Sequence, residues 1–287
     1  MKVGITCWPL TAVAAGAPIQ AVNTVRRQLL RAAGGGLARA AAPAQVATLV
    51  LSDVIDDSLP DIGSGPTVAS PTGTRDALNL LARYRVVDSV PESVRRLLAA
   101  ARGEQPAPPL PPTCRTWVIG NNRTAVAAAA AHLEQRGYMT VSVSQPLTGE
   151  AAARGDQLAA LALAMQPVAR SALILGGETT VTVRGRGRGG RSQELALSAA
   201  RRLAQASLPT ALLAAGTDGI DGRSRHAGGI ATPSTFERIR TAGIDPVSAL
   251  FDNDSATALA ASGDALITGP TGTNVGDLTV LLVQPQP

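Results

Sequence analysis

Apolar runs alternate with stretches of helical spacing along most of the chain. Val46–Leu51 (VATLVL) is short, apolar and partly β-branched, which predicts a buried strand. It ends in Ser52-Asp53 and a polar loop to Thr67. Thr74–Tyr84 spaces Ala77, Leu78, Leu80 and Leu81 as a helix does. Pro91–Ala101 reads as a second helix, with proline suited to a first turn. The five prolines of Gly103–Thr113 predict an extended linker or surface loop. Thr116–Ile119 reads as a strand, Thr124–Gln135 as an alanine-rich helix ended by Gly137, and Met139–Val143 as the next strand. That order is a βαβ unit and implies a parallel sheet. A helix over Glu150–Met165 follows, then a strand over Ala172–Leu175 that ends in Gly176-Gly177-Glu178. Thr180–Val183 alternates as a short strand. Gln193–Ala206 reads as a helix, and Ala211–Ala215 as a strand running into Gly216-Thr217-Asp218. Ala265–Thr268 and Leu278–Val283 are the last strands. The alternation predicts an α/β fold.

A length of 287 residues suggests two domains, or one large one. With 45% apolar and 16% charged residues the chain can fill a core and is not a disordered one. No apolar run reaches the length of roughly 18 residues that a membrane helix needs. Aromatics, at 2%, are too few for a binder that stacks single-stranded bases. The net charge of +5 is almost all arginine, since Lys2 is the only lysine. No arginine run forms a nucleic-acid arm, so neither nucleic acid nor membrane is expected as a partner. Cys7 and Cys114 make neither a disulfide framework nor a zinc site, and a reduced, cytoplasmic compartment is the default. Thr6, Cys7, Trp8 and Pro9 interrupt the apolar start, which therefore does not read as a secretory signal.

Ligands of α/β sheets gather at the carboxyl ends of strands. Ser52-Asp53, Glu178-Thr179, Thr217-Asp218 with Asp221, and the Thr268–Asn274 loop all fall there. Each alone can be a solvated turn; together they point to a shared cleft. Gly185–Arg191 alternates glycine with arginine ahead of a helix. It reads equally as a phosphate-binding turn or as a flexible basic exit from a hairpin. It is neither a Walker loop nor a dinucleotide fingerprint. No nucleophile elbow, Cys/His pair or zinc cluster is present. His132 reads as a helix residue without a catalytic role, and His226 as a loop residue.

Four stretches together resemble the glycerate 2-kinase family, the type with a MOFRL domain whose members are also labelled hydroxypyruvate reductase. They are Asn23-Thr24-Val25-Arg26; Ser52-Asp53-Val54 through Ser64-Gly65-Pro66-Thr67; Gly176-Gly177-Glu178-Thr179-Thr180-Val181 followed by Gly187, Gly189-Gly190-Arg191 and Gln193-Glu194; and Gly216–Gly222 with Thr268–Val275 and Asp277-Leu278. The resemblance spans roughly Ala17–Val283. It implies a partial Rossmann-like parallel-sheet domain over 1–160, family-like from about 17, and a smaller α/β MOFRL domain over 161–287. It also implies phosphoryl transfer from ATP, with Mg2+, to the 2-hydroxyl of D-glycerate. In that reading Arg191 neutralises the transferred phosphoryl or holds the glycerate carboxylate. Asp218 accepts the hydroxyl proton or, with Asp221, binds metal. Asn23, Arg26, Asp53, Ser64, Gly65, Thr67, Glu178, Thr217 and Asn274 line the nucleotide and substrate.

The chain also departs from the family pattern. The family extends beyond this amino terminus, through a glycine-lysine-alanine element that the chain lacks, so it is expected to be N-terminally truncated and impaired. Ala33 replaces a usual lysine, Ser192 an asparagine and Asp56 a glycine. Arg223-Ser224-Arg225 replaces Pro-Thr-Asp, a change expected to repel a cation. The alternatives are an inactive, anion-binding remnant of the kinase and an NAD(P)H-dependent hydroxypyruvate reductase; the second would need a dinucleotide fingerprint. A domain break is expected between Gly149 and Ser171. Asp53, Ser64 and Thr67 are expected to face Arg191, Asp218 and Asn274.

Overall fold

In the computed structural model, which describes residues 12–100 and 109–286, the chain divides into two units. Lys2, Cys7 and residues 103–108 of the proline-rich segment lie outside the described residues. The first unit comprises residues 1–50 and 56–119, the second 51–55 and 120–287. This division falls some forty residues ahead of the expected one. The reason is hydrogen bonding: the strand that begins at Met139 pairs with the one that begins at Ser171, so both belong to one sheet.

Apolar helix faces build the first unit. Helices α1 (Ile19–Leu29), α2 (Gly36–Ala41), α3 (Thr74–Arg83) and α4 (Glu92–Ala100) accompany strands β1 (Val46–Leu51) and β2 (Cys114–Gly120). Val22 and Val25 of α1 pack with Ala77 and Leu81 of α3 and Leu98 of α4. Strands β1 and β2 form a two-stranded sheet. It is parallel, since Val46 N–H donates to the Thr113 carbonyl and Ser52 N–H to the Gly120 carbonyl. Leu49, Trp117 and Ile119 of this sheet are exposed.

In the second unit, β3 (Met139–Glu150), β4 (Ser171–Thr180), β8 (Asp277–Val283), β5 (Thr210–Gly216), β6 (Gly228–Ala231) and β7 (Ala265–Leu266) lie side by side in that order. Only β3 and β4 run parallel; the other pairings are antiparallel. The α/β class is observed, as a mixed sheet rather than a parallel one. The expected βαβ unit over Thr116–Val143 does not close, because β2 pairs with β1 and β3 with β4. The parallel crossover runs instead from β3 through α6 (Ala151–Ala164) to β4.

Alternation along β8 feeds both faces. Leu281 and Val283 join the core under α6 and α7 (Arg191–Leu203), while Leu278, Val280 and Leu282 pack beneath α5 (Asn122–Gln135). Three short helices, α8 (Thr235–Thr241), α9 (Pro246–Phe251) and α10 (Ser255–Ala261), close the main core.

Gly176-Gly177 does not end β4. The strand runs on to Thr180, and Val181–Val183 leave the sheet instead of forming a strand. Glycine is required there by close approach: a Cβ on Gly176 would overlap the Asn122 side chain, and one on Gly177 the Leu147 backbone.

Candidate functional site

A cavity of about 840 Å³ opens on the second unit. Arg191, Glu178, Asp218, Asp221 and Glu194 line it, with aliphatic walls from Ile55, Val181, Val183 and Ile220. Arg191 is the first residue of α7. Its Nε and Nη2 donate to the Asp277 carboxylate at 2.5 and 3.0 Å, and its Nη1 donates to Glu178 at 2.5 Å. Three of the five guanidinium N–H groups are thus engaged, and the other two take no acceptor among the described residues. Burial alone would lower the Arg191 pKa, but the hydrogen bond and charge of Asp277, with the charges of Glu178 and Asp221, push it up. Burial pushes the Asp277 carboxyl above the usual range, against the hydrogen bond and charge of Arg191 that pull it down. The arginine expected to meet a phosphoryl group is therefore already surrounded by acids.

Asp221 is almost wholly buried and closes the amino end of α7. Its two oxygens accept the N–H groups of Ser192 and Gln193 at 3.2 and 2.8 Å. Burial pushes its carboxyl up to about 6, against those two backbone hydrogen bonds. A carboxylate that caps a helix through both oxygens is not shaped as the metal ligand expected of it. Among the described residues no group of three His, Cys, Asp or Glu side chains could hold a metal ion by itself. Asp218 is half-buried; its Oδ1 accepts the Ile220 N–H at 3.0 Å, and its Oδ2 takes no hydrogen bond among the described residues.

The Gly185–Gly190 loop is bound to the chain itself. Asn253 Oδ1 takes the N–H groups of Arg184 and Gly185, Asp252 those of Arg186 and Gly187, and Asp254 that of Arg188. A Cβ on Gly185 or Gly187 would overlap this Asp252–Asp254 turn, and one on Gly190 would overlap Asp221. The glycines serve close packing. The N–H groups of residues 184–188 already have partners and are not free to cradle a phosphate.

The chain matches the model of the MOFRL family over residues 171–277 and that of a domain of unknown function, DUF4147, over residues 11–99. It is 36% identical to the glycerate kinase of Macaca fascicularis, over 95% of this chain and 81% of that protein. It is 40% identical to the D-glycerate 2-kinase of Thermotoga maritima, over 93% of this chain and 64% of that one. A protein of Agrobacterium vitis with the provisional name hydroxypyruvate reductase is 42% identical, over 94% of this chain and 62% of that protein. The crystal structure of a glycerate kinase from Thermotoga maritima superposes with a TM-score of 0.86 at 38% identity, covering 97% of this chain and 67% of that one. The chain belongs to the glycerate 2-kinase family. It spans less than two thirds of the length of its Agrobacterium and Thermotoga relatives.

The remaining family-motif residues fall in both units. In the second, Asn274 Nδ2 donates to Asp53 Oδ2 at 3.3 Å, which brings two of them together. Thr217 is built into the β5 exit: its hydroxyl donates to the Gly276 carbonyl at 2.7 Å and accepts from the Val275 N–H at 2.9 Å. In the first unit, Arg26 donates to Asn23 at 3.4 Å. The Ser64 and Gly65 carbonyls accept the Gly34 and Gly35 N–H groups, and the Thr67 hydroxyl accepts from Thr48 at 2.9 Å. Ser64 sits at φ 63°, a left-handed conformation rare outside glycine.

Asp277, Glu194 and Asn253 were not singled out as site residues from the sequence. Asp277 and Glu194 close the family-like motifs, which is the signal the sequence holds for them. Asn253 stands between two acids in an ordinary turn and gave none.

Proposed function

We propose that the chain phosphorylates D-glycerate at its 2-hydroxyl, with ATP as donor and Mg2+ as cation. The observation that carries this reading is the likeness to a glycerate kinase of known structure along 97% of the chain at 38% identity. The charge in the cavity supports it. Two guanidinium groups, those of Arg191 and Arg223, line the cavity with four carboxylates, Glu178, Glu194, Asp218 and Asp221, and Asp277 is bonded to Arg191, so a polyanionic donor needs a cation to enter.

The donor set fits Mg2+. Glu178 is a hard oxygen ligand that lines the cavity, and it keeps one oxygen outside the hydrogen bonds among the described residues. Magnesium is commonly held by one or two carboxylates together with phosphate oxygens, so a complete protein cage is not needed. When bound, the ion offsets phosphate charge. Asp218 takes the proton of the attacking hydroxyl. The two free N–H groups of Arg191 meet the transferred phosphoryl or the glycerate carboxylate, while Asp277 and Glu178 fix the plane of the guanidinium. The reaction belongs in the cytoplasm, where the donor is abundant.

The reductase alternative lacks a dinucleotide fingerprint, and no feature of the cavity favours it. The purified chain, given D-glycerate, ATP and Mg2+, should yield 2-phosphoglycerate by phosphorus NMR and should not oxidise NADH with hydroxypyruvate. The opposite pair of results would overturn the reading.

A further inference from the structure

Glu194 is 5% exposed and sits one turn of α7 beyond Arg191. Neighbours at that spacing have Cβ atoms about 5–6 Å apart. Asn253 Nδ2 donates to Glu194 Oε2 at 2.9 Å. Asn253 is itself fixed, at φ 55°, by the Arg184 and Gly185 N–H groups on its Oδ1. Glu194 Oε1 takes no hydrogen bond among the described residues. It is not sealed in either: Glu194 lines the cavity, and its oxygens are not among the buried atoms left without partners. A buried carboxylate whose second oxygen lacks a partner destabilises the fold unless that oxygen meets water or a ligand.

The electrostatic neighbours of Glu194 are Glu150 and Arg184, whereas those of Arg191 are Asp277, Glu178 and Asp221. The aliphatic Val181 and Val183 line the cavity as well. An ionised carboxylate only accepts hydrogen bonds and repels phosphate and carboxylate groups. Its ligand is therefore a neutral donor group. Burial pushes the Glu194 carboxyl above its usual range, while the Asn253 hydrogen bond opposes this.

We infer that Glu194 is the hydroxyl-reading residue of the cavity: its Oε1 accepts a hydrogen bond from an alcohol group of the ligand. This rests on the kinase reading above. Two hydroxyls have the chemistry, the terminal hydroxyl of glycerate and a ribose hydroxyl of the nucleotide.

Calorimetric binding to the full chain separates them. D-glycerate is compared with D-lactate, which lacks the terminal hydroxyl. MgATP is compared with its 2′-deoxy and 3′-deoxy forms. The unsubstituted chain should prefer the hydroxylated member of one comparison by about ten- to a hundredfold, as for a hydrogen bond to a charged group. Glu194→Gln, which keeps the shape and the bond from Asn253, should narrow that preference, and Glu194→Met should abolish it. The comparison that responds identifies the source. An unchanged preference in both variants, or no binding of any of these ligands, would overturn the inference. Each preference is a ratio within one protein, so a general loss of stability does not imitate the result. Intact discrimination without phosphoryl transfer would support the role of Glu194 and overturn only the kinase reading.

Discussion

Arg191 shows how a residue read correctly as central can be misread in its state. It looks like a free cation in the sequence, yet its partners lie 13 and 86 positions away and cancel its charge. No local spacing reports such pairing. The two carboxylates differ in exposure: the Asp277 side chain is 11% exposed and that of Glu178 43%. Asp277→Asn leaves a half-buried guanidinium short of an acceptor and should lower the unfolding free energy by about 1–3 kcal/mol in urea titrations. Glu178→Gln should cost less than about 1 kcal/mol in the same experiment, yet weaken MgATP binding.

Asp221 carries a pH dependence. Its folded carboxyl lies at about 6, above the ordinary value of 3.8. The folded state therefore holds the proton more tightly than the unfolded one. The resulting stability is fully present below about pH 4 and is lost as pH rises through about 6, by roughly 2–3 kcal/mol. Subtracting the stability profile of Asp221→Asn from that of the unsubstituted chain should isolate this fall. A flat difference would show that the carboxyl titrates normally.

At the scale of elements, apolar pattern was legible where a strand is covered by helices. Leu278–Val283 is a strand whose alternate residues fill cores on the two sheet faces, and Ala211–Ala215 is one whose Leu212 and Ala214 join the main core. Helix α1 was not legible, because Asn23, Thr24 and Arg27 are buried along with Val22 and Val25. Arg27 pairs with Asp61 at 2.9 Å and Thr24 at 3.0 Å, so a polar surface is satisfied inside the unit. Glycine misled in the other direction. Gly176 and Gly177 read as a strand end, whereas they admit close neighbours in mid-strand. Gly155 does the same between α6 and α7, where a Cβ would overlap the Leu195 carbonyl. Gly155→Ala should lower stability by about 1–3 kcal/mol through overpacking. Gly263→Ala, at φ +74° but with open space around it, should cost no more than about 1 kcal/mol. Thermal unfolding of both variants checks the order.

For the whole molecule, the alternation of strands and helices gave the α/β class but not the sheet. The βαβ reading implies parallel order for the first part of the chain, and five of the six strands of the second unit meet at least one antiparallel neighbour. Antiparallel pairing between β4, β8 and β5 joins segments about 60 to 110 residues apart, which a local pattern does not encode. The motifs fared better than the topology, since Glu178, Arg191, Asp218 and Asp221 do share one cavity. The excess of carboxylates there sets a requirement for the molecule as a whole. Calorimetry with ATP in EDTA should show affinity at least about tenfold weaker than with Mg2+.

The most direct measurement is the rate at which the purified chain forms 2-phosphoglycerate from D-glycerate and MgATP, beside that of Asp218→Asn. The expected result is product from the unsubstituted chain and a rate about 10²–10⁴-fold lower in the variant, the range for loss of a general base. No phosphoglycerate from the unsubstituted chain would contradict the kinase assignment, and equal rates in the two proteins would contradict the placement of the reaction at Asp218.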